Sequence, residues 1–161
     1  MEQSPVAQKG LIIGIGNVIR GDDALGPRII ETLNEVGLIK PNLTTIAVPQ
    51  LDITMVDMIV CFDYVIFIDA GITDTDNEIN VMKLNFEDQC SVSSHTTHSI
   101  TIRSLVELAR SLNGKIPDCY LVIVKAYDFK ISEILSTKAD INRIQAIDRI
   151  KEIISLREKI A

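Results

Sequence analysis

The chain has 161 residues, 47% of them hydrophobic and 24% charged, enough for one domain that buries roughly 70% of the surface its unfolded form exposes. A formal net charge of -6 argues against non-specific contact with nucleic acid or insertion at an anionic membrane, since both need a basic face. Cys61, Cys90 and Cys119 lie far apart with no Cys-x-x-Cys pair, which argues against a disulfide framework or zinc knuckle and suits a cytoplasmic chain.

Residues 1–9 lack the basic start and apolar core of a signal peptide and read as a flexible tail on a single 1–161 domain. The apolar run 11–16 predicts a strand covered on both faces. It leads into Gly14-Ile-Gly-Asn-Val-Ile-Arg-Gly-Asp-Asp-Ala-Leu-Gly26, a strand-to-helix loop whose glycines permit a sharp turn. Asp22 and Asp23 stand where a carboxylate caps free helix amides. The helix is expected to start between Asp23 and Gly26, with Leu25, Ile29, Ile30, Leu33 and Val36 on one stripe and Gly37 as its stop.

Residues 43–48 read as a second strand, Leu51 to Val60 as a second helix, and 64–69 as a third strand closed by Asp69. Asn80 to Leu84 is a weakly alternating edge strand. A polar connection, Phe86 to Thr97, carries His95 and is followed by His98. The next helix is expected to be capped by Ser99 or His98, to carry Ile102, Leu105, Val106, Ala109 and Leu112 at helical spacing, and to stop at Asn113-Gly114. Residues 119–124 form another buried strand, and a closing helix from Ala139 buries Ile141, Ile144, Ile147, Ile150 and Ile154.

Alternating strands and helices imply right-handed crossovers in an α/β three-layer sandwich: a mostly parallel twisted sheet with helices on both faces and one edge strand free to run antiparallel. Ligands of such folds sit beyond the carboxyl ends of the strands. Three polar features meet that condition: the Asp22-Asp23 pair, Asp69, and the histidine loop with His95 or His98. Two carboxylates and an imidazole converging there suit a divalent transition ion. The helix amino end beside His98 favours its neutral, ligating form.

Other chemistries fit less well. Gly14-x-Gly16 lacks the third glycine of a dinucleotide fingerprint, position 19 being isoleucine, and the two acids would repel a pyrophosphate. Cys90 lies five residues from His95, but no helix start lowers its thiol pKa, and there is no Gly-x-Ser-x-Gly elbow for a serine nucleophile.

The Gly14 to Gly26 stretch, Val65-Ile-Phe-Ile-Asp-Ala70 and Thr96-Thr-His-Ser99 together make the chain resemble the hydrogenase maturation endopeptidase family. That family removes a carboxyl-terminal peptide from the large-subunit precursor of nickel-iron hydrogenases. The resemblance implies Asp23, Asp69 and His98 as metal ligands, with nickel supplied by the loaded precursor or replaced by another divalent ion. It leaves the catalytic residue open between Asp22 and Asp23, and implies a cytoplasmic monomer that cleaves only after metal insertion. The chain departs from the family at Val48-Pro-Gln-Leu-Asp52 and at Lys125-Ala-Tyr-Asp128, two places linked to the choice of hydrogenase. A non-proteolytic nickel-sensing or carrier module with the same ligands is the competing expectation, and a metal-free small-molecule enzyme stands third. Carriers more often show histidine-rich tracts, which a chain with 2 histidines lacks.

Overall fold

The computed structural model of the chain describes residues 7–86 and 101–160. Strands β1 (Gly10–Ile15), β2 (Leu43–Val48), β3 (Tyr64–Gly71), β4 (Ile79–Leu84) and β5 (Asp118–Lys125) form one sheet in the order β2-β1-β3-β5-β4. The first four in that order run parallel, and β4 pairs antiparallel with β5 at the edge. Helices α1 (Leu25–Glu35) and α4 (Thr137–Ile160) cover one face, and α2 (Val56–Ile59) and α3 (Ile102–Asn113) the other.

Period-2 alternation divides each central strand between two cores. Ile12, Ile66, Ile68, Val122 and Val124 pack with Leu25, Ile29, Leu33 and Ile150. Leu11, Ile13, Val65, Phe67 and Leu121 pack on the opposite face with Val56, Ile59, Leu105 and Val106. Both faces of β1 and β3 are therefore buried, which is why those strands are apolar throughout.

This topology selects the site. The chain leaves β1 through α1 to reach β2 on one side, then returns through α2 on the opposite face to β3 on the other side. The strand order reverses between β1 and β3, the switch point beyond whose carboxyl strand ends folds of this kind place their ligands. Among the described residues no helix is long and apolar enough to cross a membrane.

Several expectations need correction. Leu51 to Val60 is not one helix: Asp52 caps a 3-10 turn, Ile53–Met55, which passes into the four-residue α2. The Asp52 carboxylate accepts from the Thr54 N–H and hydroxyl at 2.8 and 2.6 Å, and the β-branched Ile53, Thr54 and Val56 favour a short turn. Thr101, not Ser99 or His98, caps α3, its hydroxyl accepting from the Ser104 N–H. Ile141 and Ile144 are exposed rather than core, because α4 turns Ala139, Asn142 and Ala146 inward at its start. Asn142 is held there by donating to the Lys125 carbonyl and the Glu78 carboxylate. Val36 and Leu112, at the ends of their stripes, are exposed as well.

The tail assigned to residues 1–9 is tied down at its inner end. The Lys9 N–H donates to Asp63 at 2.7 Å, and Gln8 accepts from Asn42 and Arg157. Strand β3 runs two residues past Asp69 instead of ending there.

Candidate functional site

The loop leaving β1 turns at Gly16, whose φ of 144° is rare for any side-chain-bearing residue. A Cβ there would overlap the Asp23 carbonyl oxygen, so the turn folds directly back on the acid pair. Gly26 brings α1 equally close: its Cα faces the backbone of Ile15 and lies where a Cβ would be 2.9 Å from the Ile68 carbonyl oxygen. The start of α1 thus sits on the β1/β3 boundary, one residue from Asp69.

Asp22 and Asp23 have different jobs. Neither caps the helix that follows; no side-chain cap bond occurs at the 3-10 turn or at α1. Asp22 is fully buried. One of its oxygens accepts from the Tyr127 N–H, the Asp128 N–H and the Ser136 hydroxyl at 2.8, 2.9 and 2.8 Å, and the other accepts from the Ser136 N–H at 2.7 Å. Burial raises its pKa, but these four donors together outweigh that and hold the carboxyl below its ordinary value. Asp22, held ionised at neutral pH, fastens the loop after β1 to the segment after β5. With its hydrogen-bonding capacity consumed and no solvent access, it is not positioned to accept a proton from substrate.

Asp23 is part-buried, and one carboxylate oxygen accepts the Asn17 N–H at 3.0 Å. Asp69 lies opposite, at the carboxyl end of β3 and part-buried. Burial is the main cause that pushes its pKa up to about 7, the Ala70 N–H works against the rise, and the negative charge of Asp23 adds to it. The negative charge of Asp23 disfavours ionisation of Asp69, and a divalent cation between the two oxygen donors would relieve that repulsion.

The structure therefore brings Asp23 and Asp69 together and sets Asp22 aside as scaffold. His95, His98 and Cys90 lie outside the described residues. Among the described residues no group of three or more His, Cys, Asp and Glu side chains forms a complete metal cage. The two acids fit part of a hard-oxygen site.

Sequence reading missed the anchors of Asp22. Ser136 and the backbone of Tyr127 and Asp128 lie more than 100 positions away in the chain, and no local motif marks them. A second network, anchored on buried Asn142, backs this segment: Tyr127 donates its hydroxyl hydrogen to Glu78, and Asn142 donates to both. The hydroxyl of Tyr127 holds Glu78 below its usual pKa.

Over more than nine-tenths of its length the backbone matches the hydrogenase maturating endopeptidase HybD from E. coli, with a TM-score of 0.72, 17% identity, and 94% of this chain and 93% of that one covered. The chain has the fold of the hydrogenase maturation endopeptidases. The [NiFe] hydrogenase maturation protease HycI from Thermococcus kodakarensis matches with a TM-score of 0.71 at 23% identity, over 92% of this chain and 93% of that one. The hydrogenase 2 maturation peptidase from Thaumarchaeota archaeon SCGC_AB-539-E09 matches with a TM-score of 0.69 at 22% identity, over 92% and 99%. No protein-family model matches the chain, and no curated protein sequence matches it.

Proposed function

We propose that this chain is a cytoplasmic endopeptidase that removes a carboxyl-terminal peptide from the nickel-loaded large-subunit precursor of a nickel-iron hydrogenase. The observation that carries this reading is the meeting of Asp23 and Asp69 at the β1/β3 switch point of a fold shared with hydrogenase maturation endopeptidases. Nickel arrives as part of the substrate. Asp23 and Asp69, with His98 as the third donor, recognise it by offering hard oxygen and imidazole ligands to open coordination positions. A metal held by these donors would supply Lewis-acid chemistry, lowering the pKa of an attacking water or polarising the scissile carbonyl.

The chain's own residues prepare that encounter. Asp22 fixes the loop, the Asn17 N–H orients one oxygen of Asp23, and the β3 backbone carries Asp69 to the same switch point. Asp22 being sequestered, a carboxylate oxygen of Asp23 left free by the metal would be the candidate proton acceptor.

The test is the intact mass of the precursor, nickel-loaded and nickel-free, after incubation with this protein and with its His98→Ala form. Loss of a carboxyl-terminal fragment from the loaded precursor alone, by the unmutated protein alone, is the expected result. Nickel binding by this protein with no mass change in the loaded precursor would favour a carrier or sensor instead.

A further inference from the structure

Two segments at the carboxyl edge of the sheet display large apolar side chains that the fold does not use. Val18 and Ile19, after β1, are 43% and 52% exposed, and Ile131 and Ile134, after β5, are 92% and 80% exposed. Both segments are held in place. The Gly21 N–H donates to the Ser132 carbonyl at 2.7 Å and the Ser132 N–H to the Ile19 carbonyl at 3.1 Å, forming a parallel bridge between Arg20 and Ser132. That register sets Ile19 beside Ile131. Asp22 then pins both ends of the 127–136 segment through Tyr127, Asp128 and Ser136. Isoleucine left in water adds nothing to folding, whereas a loop already ordered gives up little further freedom on binding.

We propose that Ile19, Ile131 and Ile134, with Val18, form a specificity-determining rim that takes large apolar side chains flanking the scissile bond of the polypeptide cleaved at Asp23 and Asp69. This rests on the endopeptidase reading above and names the substrate feature it selects. Continuity supports this occupant: the loop that bears Val18 and Ile19 also bears Asp23 four residues after Ile19, and the Arg20–Ser132 bridge ties that loop to the segment bearing Ile131 and Ile134. Four exposed side chains make a small apolar patch, and each member of a stable pair buries roughly 800 Å², so an extended peptide segment suits the patch better than a second copy. Charge agrees as well. Exposed Arg20 and Lys130 are offset by Asp128 and Glu133, so the rim selects by apolar contact, while the carboxylates at the centre complement the cation the substrate brings.

The experiment measures binding and cleavage of the nickel-loaded large-subunit precursor by the unmutated protein, by the double variant Ile131→Ser/Ile134→Ser, and by Leu112→Ser. Leu112 is 67% exposed at the far end of α3 and serves as the control. The double variant, with an unchanged melting temperature, is expected to bind the precursor at least ten-fold more weakly, while the control binds normally. Equal binding by the double variant and the unmutated protein overturns the rim and leaves the endopeptidase reading standing. Binding without cleavage by the unmutated protein, weakened in the double variant, sinks the endopeptidase reading and keeps the rim as a docking surface. No binding by the unmutated protein overturns both.

Discussion

Replacing Asp22 by asparagine keeps the shape of the side chain and removes its charge, which isolates the fastening between the two loops. In the best orientation the amide oxygen keeps the Tyr127 and Asp128 N–H groups and the Ser136 hydroxyl, and the amide nitrogen then faces the Ser136 N–H. One buried donor is left without an acceptor at about 1–3 kcal/mol, and three charge-assisted bonds become neutral ones at a further ~0.5–1 kcal/mol each. The expected loss is about 3–5 kcal/mol at pH 7, or on the order of 10 °C in melting temperature for a domain of this size. Urea unfolding followed by circular dichroism measures it. The folded-state pKa of Asp22 lies below its ordinary value, so the contribution is present above the unfolded pKa of 3.8 and is lost as pH falls through the folded value. The gap between the two proteins should therefore close in acid. A cost below about 1 kcal/mol at pH 7, or a gap independent of pH, would refute this account of Asp22.

Asp69→Asn should behave oppositely. Because burial raises the folded pKa from 3.8 to about 7, ionisation costs stability progressively between those values, so the asparagine protein is expected to match the unmutated one near pH 4 and exceed it at pH 8. Three units set a ceiling of about 4 kcal/mol, and a gain of ~1–3 kcal/mol by thermal melts across pH is expected. Gly16→Ala forces a Cβ onto the Asp23 carbonyl at a φ of 144°, and a loss of about 3 kcal/mol or more in urea unfolding is expected. Thr101→Ala removes the cap of α3 and should cost ~1 kcal/mol in the same experiment while leaving processing of the precursor unchanged.

What the sequence made legible was whatever local pattern controls. The apolar runs of β1, β3 and β5 and the stripe of α1 stand out because burial on both sheet faces, or along one helix side, dictates residue type position by position. Asp69 stands out in the sequence because a carboxylate at the mouth of an apolar strand demands a reason, whereas only the family resemblance singles out Asp23 from Asp22. The division of labour between Asp22 and Asp23 was hidden, since it depends on Ser136 and on backbone groups at Tyr127 and Asp128, which only the tertiary fold brings near. The first turns of α4 misled for a related reason: Ile141 and Ile144 keep helical spacing, yet the partners of Asn142 on β5 and at Glu78 set which side faces inward. In the Leu51 to Val60 stretch, the hydrogen bonds of Asp52 to Thr54 override a weak helical period.

The rate at which the Asp69→Asn protein processes the nickel-loaded precursor, followed by intact mass, tests the site at Asp23 and Asp69 most directly. That variant is expected to be folded and, at pH 8, more stable than the unmutated protein, so lost activity cannot be ascribed to unfolding. Processing at least ~100-fold slower is the predicted result, as expected when a ligand to a reacting metal is removed. Processing at the unmutated rate would contradict a site built on Asp23 and Asp69.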